Sequence, residues 1–259
     1  MTFPNHANKY GCSSLLSAED IVGYRRRLGR YPDVPNLQGV LLCLERGLPR
    51  RLRWKIPVQD VGSMNGDLYG VKKTKNRVAV MTNFGGGSPM VVELAEEFAV
   101  MGAKRLILMT WGGALQPELQ AGDIVVCDQA IRDDGASHHY LPAEKTISAS
   151  SELARGLAGA IRARGGTCQV GTTWTTDAPY RETESEVRQY QSEGVKVVEM
   201  ESSGLFTVGR IRGVATASVV VVMDSLANYH WQVPQRLDAI QRSLEIVYAA
   251  AIDVLAAPL

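Results

Sequence analysis

From Gly39 onward the chain alternates between short apolar runs and amphipathic stretches, and this restricts its architecture more than any other feature. The runs lie at residues 40–44, 78–82, 106–110, 124–127, 169–173, 196–199 and 218–223. Each is rich in β-branched residues and bounded by Gly, Asp or polar residues, as a strand covered on both faces is. Between several of them lie helical patterns. Residues 89–101 place Val91, Val92, Leu94, Ala95 and Phe98 on one side and stop at Gly102. Residues 151–164 stop at Gly165-Gly166, and 202–211 and 234–256 follow the last two runs. Strand–helix alternation without a break in composition predicts one α/β domain with a largely parallel sheet.

Ahead of it, residues 1–36 form a polar N-terminal extension. There Ser17-Ala-Glu-Asp20 can cap a helix reaching Leu28, and Tyr31-Pro-Asp-Val-Pro35 stops it. Arg25-Arg26-Arg27 reads as a solvated helix face. Between residues 54 and 74 the pattern thins, and Asp67-Leu-Tyr-Gly70 suggests a turn-linked pair of strands.

Charge bears on partners. Twenty-eight Lys and Arg against 27 Asp and Glu leave a formal net charge of +1, so no long-range field draws in nucleic acid or an anionic membrane. Any anion must be handled locally. Cys12, Cys43, Cys127 and Cys168 are far apart and form no CxxC pair, which disfavours a thiolate metal site and a disulfide framework. The start, MTFPNHANKYG, has no apolar signal core, and no run of roughly 18 apolar residues exists to span a membrane. A cytoplasmic protein without metal or cofactor is expected.

In an open α/β sheet, ligands bind beyond the carboxyl ends of the strands. Four segments there carry chemistry. Asn83-Phe-Gly-Gly-Gly-Ser-Pro89 is a glycine cluster between strand and helix, serving either as a ligand loop or as a plain connection. Thr110-Trp-Gly-Gly-Ala-Leu115 either exposes backbone to the crevice or is a tight turn. Glu199-Met-Glu201 sets two carboxylates at the end of an apolar run, suited to vicinal hydroxyls or to a helix N-terminus. Asp224 ends another apolar run, where an acid can hold a proton for donation or serve as a cap. His138-His139 lack a second pair at metal spacing and fit a structural role.

These segments occur in an order that resembles a known family. Gly85-x-Gly87-x-Pro89, Gly113-Ala-Leu-Gln-Pro117 with Gly122-Asp-Ile-Val-Val126, Arg132-Asp-Asp-Gly-Ala-Ser137, Thr175-Thr-Asp-Ala-Pro-Tyr180, Glu199-Met-Glu-Ser202 and Asp224 are similar to the purine and uridine phosphorylase superfamily. The resemblance covers roughly residues 66 to 231. It implies a three-layer α/β/α sandwich with a mixed, partly barrel-like central sheet, formed by a catalytic domain at residues 37–259, and cleavage of a nucleoside N-glycosidic bond. It places Glu201 on the ribose diol, Met200 against the sugar, Glu199 as an auxiliary sugar contact, and Gly112, Gly113, Pro179 and Tyr180 at the base. Asp224 matches the acid that protonates a purine ring nitrogen, so a purine is favoured over a pyrimidine. A homo-oligomer, either a dimer or a hexamer built from dimers, is also implied.

The phosphate half departs from the family pattern. Leu108 and Trp111 stand where the family places an Arg and a Ser or Thr, and the Gly-Asp-Pro-x-Arg loop is replaced by Cys43-Leu-Glu-Arg-Gly-Leu-Pro-Arg-Arg51. Gly87, Trp111, Arg46 and Arg50 are candidates for a rearranged phosphate site, with phosphate as co-substrate. Two alternatives stand beside phosphorolysis. One is a phosphate-independent hydrolase in which Glu45 orients water. The other is a nucleoside-like ligand-binding protein that keeps the fold without the reaction.

Overall fold

The computed structural model describes residue 6 and residues 8–32, 34–235 and 237–258. In chain order the elements are α1 (Ala18–Arg27), β1 (Gly39–Cys43), α2 (Leu48–Arg51), β2 (Val58–Ser63), β3 (Asp67–Val71), β4 (Val78–Thr82), α3 (Ser88–Val100), β5 (Arg105–Ala114), β6 (Ile124–Asp133), β7 (Thr146–Ser148), α4 (Ser151–Ala163), β8 (Gln169–Thr176), α5 (Glu184–Ser192), β9 (Val197–Glu199), α6 (Ser202–Arg212), β10 (Ala215–Ser225) and α7 (Asp238–Ala256). All seven apolar runs are strands. The helix expected at 234–256 begins at Asp238, and residue 236 of that span lies outside the described residues.

The sheet is mixed, a correction to the largely parallel one that alternation alone predicts. β1 pairs in parallel with β4 and β5, and β10 pairs in parallel with β5. β6 turns against β10, and β9 turns against β5. Parallel pairing of β8 with both β6 and β9 then closes a five-stranded ring, β5–β10–β6–β8–β9. The remaining strands extend from β5 as an open sheet ending in the β2–β3 hairpin, whose turn lies at Met64–Gly66 rather than at Asp67-Leu-Tyr-Gly70.

Helices cover both faces, with α3 and α6 on one side and α4 and α7 on the other. This is why Val219, Val220, Val221 and Val222 form an unbroken apolar run in β10: each is fully buried. Removing such a side chain from water is worth about 1.5–3 kcal/mol. Cys43 and Cys127 pack in the same core as free thiols. Among the described residues, no helix is long and apolar enough to cross a membrane.

The N-terminal helix forms as expected, Ser17 and Asp20 making a reciprocal capping box. Its arginines are not merely a solvated face. Arg25 Nη1 donates to both oxygens of the buried Glu97 in α3, at 2.8 and 2.6 Å, and the Arg26 guanidinium lies 5.2 Å from the Tyr31 ring centre.

Candidate active site

The candidate residues gather at the carboxyl ends of β1, β4, β5 and β10, which share one direction. Val198 in β9 pairs antiparallel with Gly113 in β5, so the chain leaving β9 runs back along Gly112, Trp111 and Thr110. It brings Glu199, Met200 and Glu201 beside the end of β5. Close approach of the two strands requires glycine. A Cβ at Gly112 would sit 2.2 Å from the Val198 carbonyl oxygen, and one at Gly113 would sit 2.9 Å from Asp224 Oδ1. Both glycines lie inside β5, which runs on to Ala114, so the tight-turn reading of this segment is set aside.

The two glutamates are both buried but are held differently. Glu199 Oε1 accepts from Thr175 Oγ1 at 2.5 Å and Thr173 Oγ1 at 3.3 Å, while Oε2 accepts the Glu201 and Ser202 N–H groups, each at 2.8 Å. An ionised carboxylate offers about four lone-pair positions, and the protein fills them. Glu199 therefore fastens the start of α6 to β8. Glu201 Oε1 accepts the Gly87 N–H at 2.7 Å, and Oε2 accepts from Thr110 Oγ1 at 3.2 Å, the Met200 backbone also bonding this carboxyl. Among the described residues its oxygens take fewer donors than those of Glu199, which leaves acceptor capacity to spare. Burial, followed by the neighbouring Glu199, pushes the Glu201 carboxyl up to about 7, while burial also raises Glu199.

The glycine loop is shaped around this carboxylate. Gly87 takes φ +94°, a conformation that disfavours side chains, and caps α3. A Cβ at Gly86 would lie 3.4 Å from Glu201 Oε1. Ser88 Oγ donates to the Met200 carbonyl at 3.1 Å, tying the two loops together.

Asp224 is the penultimate residue of β10, beyond a register shift after Val222. Its Oδ1 lies over Gly113, and its Oδ2 accepts the Trp231 indole N–H at 2.8 Å. Glu182 stands nearby: burial and then the Asp224 charge push its carboxyl up to about 7.

The other expected residues spread outward. Pro179 and Tyr180 form an exposed turn after β8, with the Tyr180 side chain fully open to solvent. Trp111 is half-buried, and Leu108 is fully buried in register with Leu42 and Ser218. Arg46 is exposed, and Arg50 turns to β3, its Nε donating to the Tyr69 hydroxyl at 3.0 Å. Arg51 Nη1 lies 4.0 Å from Glu45 Oε1, and burial raises the Glu45 carboxyl. His138 contacts the Arg132 carbonyl oxygen at 3.0 Å. No group of three His, Cys, Asp or Glu able to hold a metal ion occurs among the described residues.

Thr173 and Trp231 escape a reading of the sequence, and within their quoted motifs Thr110 and Thr175 gain a role only through the fold. Behind them, Ser203 Oγ bonds Asp134 Oδ1, and the Ser203 N–H reaches Thr175 Oγ1 at 3.1 Å. Two threonines two residues apart on a buried strand put hydroxyls on one face, and that is the signal that could have found Thr173 and Thr175.

A family model described as the phosphorylase superfamily matches residues 42–256. The chain belongs to the phosphorylase superfamily. Among curated superfamily members, uridine phosphorylase of Haemophilus influenzae is 32% identical over 158 residues, 56% of this chain and 63% of the relative. The chain thus spans just under two thirds of that relative's length. Uridine phosphorylase of Escherichia coli is 27% identical over 206 residues, 73% of this chain and 81% of the relative. Guanosine phosphorylase of Halorubrum lacusprofundi is 25% identical over 174 residues, covering 64% and 72%. In fold, the crystal structure of uridine phosphorylase from Vibrio fischeri superposes with a TM-score of 0.71 at 22% identity, covering 86% of this chain and 92% of that one.

Proposed function

We propose that this protein cleaves the N-glycosidic bond of a nucleoside, favouring a purine, with phosphate as the acceptor of the pentosyl group. The observation that carries the reading is the contrast between the two glutamates. Glu199 is closed by four protein donors, while Glu201 takes fewer and keeps acceptor capacity to spare. A rigidly held carboxylate with acceptor capacity to spare fits the hydroxyls of a ribose diol, with Met200 against the sugar. In this reading Glu199 positions the loop and does not touch the sugar.

Breaking the bond builds positive charge on the sugar and negative charge on the base. Glu201 opposes the first and a proton from Asp224 opposes the second, with the base seated at Gly112 and Gly113 and flanked by Pro179 and Tyr180. The purine preference rests on Asp224 as proton donor. Curated relatives named for uridine and for guanosine make the base a matter for measurement. Assembly into dimers belongs to the same proposal, because the fully exposed Tyr180 needs a cover to serve as a pocket wall; sedimentation velocity tests it.

The phosphate grip would come from the Arg46–Arg51 turn with Gly87 and Trp111. A second reading, hydrolysis, is favoured by Leu108, which leaves no cation at that point of β5, and by the half-buried Glu45 at the end of β1. One experiment separates them: inosine, guanosine, adenosine and uridine are offered with and without phosphate, and the sugar product is identified. Ribose 1-phosphate formed only with phosphate supports phosphorolysis. Free ribose formed without it, and lost in Glu45→Gln, supports hydrolysis. Binding of these nucleosides without release of any base would overturn both.

A further inference from the structure

The strand end that carries Asp224 leads into a closed loop. Ser225 and Gln232 exchange two backbone hydrogen bonds of 2.9 Å. At the tip Tyr229 takes φ +63°, with the Arg188 guanidinium of α5 3.8 Å from its ring centre. Gln191 Nε2 fastens the same loop by donating to the Ala227 carbonyl at 2.8 Å. The loop presents Trp231, whose side chain is not held by burial. The residue remains 67% exposed, while its indole N–H reaches Asp224 Oδ2 at 2.8 Å.

Building on the reading of Asp224 as the proton donor, we propose that Trp231 is a positioning residue that dictates which oxygen of Asp224 carries the proton. An indole N–H can only donate. A carboxylic acid has a single O–H, and its carbonyl oxygen accepts an indole N–H better than its hydroxyl oxygen does, which favours the O–H on the oxygen the indole does not hold. With Oδ2 held by the indole, a proton that Asp224 takes up for the reaction sits on Oδ1, the oxygen that lies over Gly113. When the glycosidic bond breaks, its electron pair goes to the base and the proton passes from Oδ1 to a ring nitrogen. Asp224 is left as a carboxylate that still accepts the Trp231 N–H, and solvent restores the proton before the next turnover. A nucleoside whose base already carries positive charge departs neutral without that proton and has no need of the arrangement.

The test compares wild type with Trp231→Phe, which keeps an aromatic ring but loses the donor, on inosine and on cationic 7-methylguanosine. The expected result is a kcat on inosine reduced about tenfold more than that on 7-methylguanosine, with KM values moving within about twofold. Equal losses on the two substrates, or no loss on either, overturn the proposal. A second readout does not depend on turnover. The Trp231 indole ¹H–¹⁵N resonance, assigned by its disappearance in Trp231→Phe, should move upfield in Asp224→Ala; a resonance indifferent to that change overturns the proposal. If wild type releases no base from either nucleoside, the proposed reaction fails, and the indole resonance alone decides whether Trp231 holds Asp224.

Discussion

Gly112 lies so close beneath Val198 that a Cβ would stand 2.2 Å from the Val198 carbonyl oxygen, a backbone atom fixed by the barrel. One residue on, a Cβ at Gly113 would meet side chains rather than backbone, Asp224 Oδ1 at 2.9 Å and Val198 Cγ1 at 3.3 Å. The two glycines therefore respond differently to the same substitution. Gly112→Ala must push β9 from β5 and should lower stability by about 1–3 kcal/mol, as overpacking does. Gly113→Ala should cost less stability but turn Asp224 away from Gly113, so base release falls while the urea midpoint changes little. Urea unfolding and an activity assay on both variants check the contrast.

The glutamate pair makes a second prediction. Above about pH 7, where Glu201 is ionised, Glu201→Gln exchanges a charged acceptor for a neutral one at the proposed diol contact. Hydrogen bonds to charged groups are worth about 1.5–3 kcal/mol, so nucleoside affinity should fall about ten- to a hundredfold with the fold intact. Glu199→Gln turns an amide NH₂ toward donors among Thr175, Thr173 and the N–H groups of Glu201 and Ser202. An unfolding midpoint lowered together with affinity is expected there. Calorimetry against inosine alongside urea unfolding distinguishes the two patterns.

Much of the fold was legible because burial on both faces forces continuous apolar runs, and β4 coincides with its run from Val78 to Thr82. Strand ends were not legible. β5 continues through Trp111, Gly112 and Gly113, and β6 continues to Asp133 past a register shift at Cys127. There the barrel pairs backbone groups whatever the side chains are. Strand direction was hidden for the same reason, since β9 turns against β5 through a register that no local pattern records. Helix α5 carried a readable signal, the Thr183–Glu186 capping box. Within the site, Glu201 and Asp224 stood out as acids ending apolar runs, whereas Thr175 and Trp231 act through partners placed only by folding.

The pH dependence of stability follows from Glu201 and Glu182, both raised by burial from 4.5 to about 7. Between those values the folded chain keeps protons that the unfolded chain has released. Stability therefore falls as pH rises across this window. Their contribution is fully present below about pH 4.5 and lost on passing pH 7. Glu201→Gln and Glu182→Gln, with no proton to lose, should each flatten the decline in urea midpoint across that window. A midpoint profile identical to wild type in both variants would contradict the assignment.

The N-terminal helix can be tested through one ion pair. Glu97 is almost wholly buried, its side chain 2% exposed, and both its oxygens take donors from Arg25 Nη1. Burial nevertheless outweighs the guanidinium and raises the Glu97 carboxyl. Arg25→Met strands this group without its partner, a change that typically costs about 3–5 kcal/mol. Because the stranded carboxyl can neutralise itself by taking a proton, the loss should shrink as pH falls. The double variant Arg25→Met with Glu97→Leu removes both charges and should recover most of the stability, since apolar packing can replace a buried pair. Urea unfolding of the two variants at neutral and acidic pH measures this. A single variant as stable as wild type would mean that α1 is not anchored to α3 through this pair.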